Sequence, residues 1–222
     1  MGMRRLALVF AFLSLAFVSL ADAQSSSQSA PPLQTAIGSA YGERLRLAGI
    51  ANAGKINERL YRGAQPRNGS VRELKRLGVT TIVDLRGEDS AARDREKREA
   101  ESLGIHFVNI PVSGWSPPSN DQVAQFLSIF RGNSQEKVFV HCRFGEDRTG
   151  VFVATYRMAM EHWPSQQALN EMYSFGFNGF WHRSMISFVR DFPARLTSAP
   201  ALVPFGKADD IKVALPGVNS PN

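Results

Sequence analysis

The sequence holds a single cysteine, Cys142, among 222 residues, so no intrachain disulfide can staple the fold. Its four histidines are scattered and show neither H-E-x-x-H nor paired-cysteine spacing, and no metal or other cofactor is expected. No internal repeat is found, which sets solenoids and propellers aside. Hydrophobic residues at 43% and charged residues at 21% exclude a disordered, collagen-like or polytopic membrane chain. What remains is an ordinary globular body with one thiol, either a buried small hydrophobe or a reactive group.

The first residues read differently from that body. Met1–Arg5 carries two arginines and precedes LALVFAFLSLAFVSL, a 15-residue apolar stretch that ends at Ala21-Asp22-Ala23. This is the pattern of a signal peptide with an A-x-A cleavage site, and the run stops short of the about 20 residues that a membrane span takes. Residues 1–23 are therefore expected to be removed, leaving an exported protein, periplasmic or secreted, with no stable membrane span. Without Arg4, Arg5 and Asp22, the 26 basic and 20 acidic residues become 24 and 19. The remaining positive excess suits anionic partners but does not choose among phosphorylated proteins, inositol phosphates, nucleic acid and anionic lipid.

Residues 24–36 are polar and proline-bearing and read as a flexible tether, and residues 37–196 carry the periodic pattern of a folded domain. Glu58–Pro66 (ERLYRGAQP) reads as an edge strand closed by a proline turn. Ser70 and Glu73 have capping-box spacing before a short helix that Gly78 ends. Segments 79–85, 105–112 and 137–141 read as strands. A charge-rich helix over 90–103 is expected to present a solvated face. Val123, Phe126, Leu127 and Phe130 mark a helix that Ser119 or Asn120 can cap. VFVATYRMAM after Gly150 is apolar on nearly every side, as a central buried helix should be, and helices follow at about 165–175 and 181–196. Residues 197–222 show no periodicity and read as a loop-like tail. The alternation gives an α/β fold, a central mostly parallel sheet flanked by helices.

The chemistry gathers where the strand KVFVH delivers Cys142-Arg143-Phe144-Gly145-Glu146-Asp147-Arg148-Thr149-Gly150 to the start of that central helix. Five residues between Cys142 and Arg148 can wrap a loop whose backbone N–H groups converge on one point, and a phosphate fits that point. The positive end of the helix lowers the thiol's proton affinity, making Cys142 a nucleophile beneath the phosphorus. Arg148 can hold two phosphate oxygens with its planar fork. Thr149 can give its hydroxyl to the sulfur, and His141 can order the loop through its ring N–H. Gly145 lets the loop turn close to the ligand, and Gly150 admits close helix packing.

HCRFGEDRTG resembles the signature of the cysteine-dependent protein tyrosine and dual-specificity phosphatases, with the pattern H-C-x-x-G-x-x-R-T-G complete. LYRGAQP followed by LKRLGVTTIVDLRGE is similar to the opening of compact atypical dual-specificity phosphatases, and the resemblance covers roughly residues 55–195. It implies a protein tyrosine phosphatase-like fold and a phosphocysteine intermediate on Cys142. It also implies phosphate cradled by residues 143–148 and Arg148, no metal, and an aspartic general acid on a separate loop. The implied partner is a phosphorylated protein or small phosphorylated molecule rather than nucleic acid.

One departure concerns the acid. IPVSGWSPPS resembles the family's acid loop, yet Ser113 or Gly114 stands where the aspartate is expected. Asp121, near the start of the next helix, and Asp147, inside the phosphate loop, are the candidates left, with Asp147 ahead. Asp147 can instead orient Arg148 or cap a backbone amide. Glu146 opposes highly charged ligands while Arg86 and Arg143 favour anions, and Trp115 and Phe144 can line an entrance. Three readings stay open at this point: a protein phosphomonoesterase, an inositol phosphate or phosphoinositide phosphatase on the same loop, and a phosphate-reading pseudophosphatase. Sulfur transfer of the rhodanese type is disfavoured by Arg148-Thr149 at the phosphatase spacing.

Overall fold

The computed structural model describes residues 41–206. The expected signal peptide, the tether and the last residues of the tail lie outside that range. Six strands form one sheet: β1 (Glu43–Arg44), β2 (Gly54–Lys55), β3 (Leu60–Ala64), β4 (Thr81–Arg86), β5 (His106–Val112) and β6 (Val138–Cys142). Their order is β1-β2-β3-β6-β4-β5, antiparallel from β1 to β3 and parallel from β3 through β6 and β4 to β5. The mostly parallel sheet was legible in the run of β-branched strands alternating with helices.

One strand lies elsewhere than expected. Glu58–Pro66 contains β3, which sits inside the sheet between β2 and β6 with all five residues buried, because the two short strands before it cover its outer side. The short helix α1 (Val71–Arg76) starts after Ser70 as expected, but the Ser70 side chain makes no capping bond; Glu73 N–H donates instead to the Ser70 carbonyl oxygen. Ser119 does form a full capping box with Gln122 at the start of α3 (Asn120–Ser128).

Alternation along the strands sends side chains to two cores. Val83 and Leu85 of β4 and Val138, Val140 and Cys142 of β6 face a large cluster with α3, α4 (Asp147–Met160), α5 (Ser165–Ser174) and α6 (Arg183–Ser198). Ile82 and Phe139 face a smaller cluster with Val71 and Leu74 of α1 and Ala100 of α2 (Ser90–Ser102). Helix α4 is buried over every residue from Arg148 to Ala159, which explains its all-round apolar sequence. Gly150 lets α5 approach: a Cβ there would sit 3.4 Å from Met172 Cγ. The chain stays helical past the expected end of the domain, with α6 reaching Ser198, Leu202 fully buried and a short α7 at Val203–Gly206. Among the described residues, no helix is long and apolar enough to cross a membrane.

Candidate active site

Strand β6 ends at Cys142 and α4 begins at Asp147, so Arg143–Glu146 must turn the chain within four residues. Gly145 makes the turn, with φ +71°, and a Cβ there would land 2.4 Å from the carbonyl carbon of Gly63 in β3. Both conformation and space demand glycine. The Gly145 carbonyl oxygen accepts from Arg62 Nη2 at 2.6 Å and Asn52 Nδ2 at 3.0 Å.

Cys142 is buried, and burial alone would push its thiol up. The Thr149 hydroxyl and amide, the Arg148 charge and the Gly145 amide outweigh burial, and the thiol is held below its ordinary value. Thr149 Oγ1 is itself buried with no nitrogen or oxygen partner, leaving it free for the sulfur.

Arg148 is held by a residue that sequence reasoning missed. Glu88, on the turn between β4 and α2, takes both ends of the fork: Nη1 donates to Oε2 at 2.9 Å and Nη2 to Oε1 at 2.7 Å. Arg148 Nη1 also donates to the Val112 carbonyl oxygen at 3.3 Å. The hydrogen bond from Arg148 takes the Glu88 carboxyl down to about 2. No local pattern marks Glu88, because the pairing spans 60 residues and is set by the ends of β4 and β6 lying side by side in the sheet.

A second missed residue is Arg62, bonded to the loop's Gly145 carbonyl oxygen. Arg62 of β3 is fully buried, stacks 4.1 Å from the Phe175 ring and leaves Nε and Nη1 without partners. Burial pulls its guanidinium down to about 10, against the opposing charges of Glu171 and Cys142. Its positive charge therefore supports a Cys142 thiolate.

His141 faces the opposite side of β6 from Cys142, next to Asp84 of β4 in the sheet register. Its Nδ1 lies 3.3 Å from the Cys142 carbonyl oxygen and its Nε2 2.7 Å from Glu96 Oε1. Burial opposes the charged ring, but the charge and hydrogen bond of Glu96 and the charge of Asp84 outweigh it and raise the proton affinity. Helix α2 thus does more than present a solvated face: Glu96 is 5% exposed and turned inward. Arg86 is equally buried, donating through Nε and Nη2 to Asp84 and through Nη2 to Glu96, so it does not face incoming anions. Asp84, Glu96 and His141 bring ligand atoms within 4.8 Å of one another, in the manner of a metal site. The Arg86 fork already places a fixed cation against both carboxylates.

The acid candidates are arranged as follows. Asp147 stands in the first turn of α4, with Oδ1 accepting the Asn178 backbone N–H at 3.0 Å and Oδ2 3.4 Å from His182 Nε2. It caps a backbone amide and anchors the segment before α6, one of the alternatives the sequence left open. Asp121 is exposed in the first turn of α3, and no hydrogen bond or ion pair joins it to the loop. Ser113 turns its hydroxyl back on its own loop, accepting from the N–H groups of Trp115 and Ser116. Trp115 is 72% exposed and its ring lies 5.5 Å from that of His182. Phe144 is also exposed, under the Arg143 guanidinium at 5.1 Å.

A buried free cysteine at the end of a central parallel strand, followed by a tight loop into a buried helix, places the fold among the protein tyrosine phosphatase-like proteins. The crystal structure of TpbA from Pseudomonas aeruginosa is similar, with a TM-score of 0.60 and 25% identity, covering 76% of this chain and 98% of that one. The sequence gives the narrower assignment: the family described as DSP-PTPase phosphatase fused to NAD+ kinase matches residues 48–190, and the chain belongs to it. The dual specificity protein phosphatase TpbA of Pseudomonas aeruginosa strain UCBPP-PA14 is 33% identical over 132 residues, 57% of this chain and 55% of that protein. Dual specificity protein phosphatase 26 of Rattus norvegicus is 32% identical over 120 residues, 51% of this chain and 54% of that protein. The chain thus spans about half the length of the curated relatives it matches.

Proposed function

We propose that the protein hydrolyses phosphomonoesters of the phosphotyrosine, phosphoserine and phosphothreonine type through a phosphocysteine intermediate. The observation that carries this reading is one thiol that, despite burial, is held below its ordinary value by Thr149, the Arg148 charge and the Gly145 amide, at the start of the tight turn from β6 into α4. The Cys142 sulfur attacks phosphorus, the bond from phosphorus to the ester oxygen breaks, and that oxygen leaves with a proton. Water then attacks the phosphocysteine, releasing inorganic phosphate and returning the thiolate. Residues 143–148 supply inward N–H groups, Arg148 stabilises the transferring phosphoryl group, and Thr149 holds the sulfur as nucleophile and leaving group. His141 fixes the loop from behind. The names of the relatives, dual specificity protein phosphatases, support the same substrate class.

The source of the leaving-group proton is read by comparing leaving groups. Both Asp147 oxygens are engaged away from the loop and the 113–119 segment offers no carboxylate. Release of phosphate from p-nitrophenyl phosphate should therefore be far faster than from an alkyl phosphate. Asp147→Asn should lower both rates alike, through the 178–182 segment, and Asp121→Asn neither. A loss confined to the alkyl ester in either variant would make that aspartate the acid. Absence of phosphate release from any ester would leave a phosphate reader in place of the enzyme.

The same reading includes export. It rests on Met1–Arg5, the apolar stretch after it and Ala21-Asp22-Ala23. Protein isolated from its native host should begin at Gln24, and mass spectrometry finding residues 1–23 still attached would overturn export by cleavage.

A further inference from the structure

Asn52, in the turn before β2, holds φ +50°, a left-handed conformation that residues with a side chain rarely adopt and asparagine tolerates best. Its neighbours hold it there. The Ala51 carbonyl oxygen accepts from the Ala64 N–H at 2.8 Å, and the Ala53 carbonyl oxygen from the Leu45 N–H at 2.9 Å. The Asn52 side chain joins three elements: Nδ2 donates to the carbonyl oxygens of Gly145 at 3.0 Å and of Phe175, at the end of α5, at 2.9 Å, while Oδ1 accepts from Arg44 Nη1 of β1 at 3.0 Å. Two carbonyl groups at one end and a guanidinium at the other fix which end is nitrogen.

The bond to Gly145 matters for what lies across the same peptide plane. Arg62 Nη2 donates to that oxygen as well, at 2.6 Å, so two side chains from outside the phosphate loop hold one of its carbonyl groups. In a trans peptide the N–H of the next residue points opposite to the C=O, and no cis bond occurs among the described residues. The Glu146 N–H is thus turned away from Arg62 and Asn52. It stands at the N-cap of α4 and donates to no protein group among the described residues, as a nitrogen reserved for an anion should.

We propose that Asn52 is a positioning residue of the phosphate loop: with Arg62 it fixes the Gly145–Glu146 peptide plane so that the Glu146 N–H is presented to the transferring phosphoryl group. Its effect on rate rests on the phosphatase reading above; its effect on anion binding does not.

Asn52→Gly and Asn52→Ala in the full chain are compared with the parent in turnover of p-nitrophenyl phosphate and in affinity for orthovanadate, which mimics the five-coordinate transition state. Both variants remove the same three hydrogen bonds. Only alanine must also hold the left-handed backbone, so Asn52→Ala should unfold at a lower temperature than Asn52→Gly. Well below both transitions, each variant should lose about tenfold in kcat and bind vanadate about tenfold more weakly, with KM within about twofold, because the fixed N–H acts on the transition state. A kcat and a vanadate affinity at the parent level, with only the unfolding temperature lowered, would make Asn52 a tie of the fold and overturn the proposal. So would a loss that follows the unfolding temperature, large in alanine and absent in glycine, or a rise in KM with kcat unchanged. If the parent turns over no ester, the phosphatase reading fails while vanadate affinity still decides the positioning role.

Discussion

Replacing Cys142 with serine should abolish phosphate release while leaving phosphate or vanadate binding in place. The environment of residue 142 is burial, which disfavours a charged atom, offset by the Thr149 hydroxyl and amide, the Arg148 charge and the Gly145 amide. That balance suffices for a thiol, which ionises within a few units of neutrality, and falls far short for an aliphatic hydroxyl. The phosphate cradle proposed for residues 143–148 should survive the exchange, because backbone N–H groups and Arg148, not the sulfur, are its proposed donors. Serine is close in volume to cysteine, and an unchanged thermal transition would confirm an intact fold. Turnover retained in Cys142→Ser would end the covalent mechanism. The pH dependence has a definite sign: with the thiol held below its ordinary value, the nucleophile is present above that lowered value. The rate should fall as pH drops through it.

The loop was legible because its chemistry is local. Cys142, Arg148 and Thr149 lie within eight consecutive positions, and the strand, turn and helix around them each have a period or a glycine that announces them. The sheet was legible for the same reason, through short β-branched runs between helical patterns. What sequence could not supply is pairing at a distance. Arg62, Glu88 and Glu96 sit in an expected strand, a turn and a solvated-looking helix, and each gains its meaning only when β3, β4 and β6 lie side by side. Glu96 is the clearest case: within SAARDREKREAES it is one charge among many, and its inward turn onto His141 and Arg86 depends on which helical face meets the sheet. The edge-strand reading of 58–66 failed for a related reason. Two-residue strands such as β1 and β2 carry no period, so the cover they lend β3 leaves no trace in the sequence.

Arg148→Lys should lose the rate by roughly 2–4 kcal/mol, about 30- to 10³-fold, as for removal of one preorganised transition-state donor. The geometry says why lysine cannot serve. Glu88 binds Nη1 and Nη2 end-on, which leaves the Nε edge of the guanidinium for a phosphoryl oxygen. One planar group can thus be held from behind and act in front, whereas an ammonium drawn to Glu88 presents no second fixed face. Glu88 is accordingly a positioning residue. Glu88→Gln should cost about tenfold, mostly in kcat, because the amide still accepts one hydrogen bond but no longer fixes both ends. A drop in KM with kcat unchanged would show instead that Glu88 competes with phosphate for Arg148. Acid offers a further check. The Glu88 carboxyl is lowered from its ordinary 4.5 to about 2, so the contact's contribution to stability is complete above pH 4.5 and lost as pH falls through about 2. The carboxylate is half exposed, so that contribution is small, and the arginine's weight is in the rate. A wild-type rate in Arg148→Lys would remove Arg148 from the reaction and, with it, the reason for Glu88.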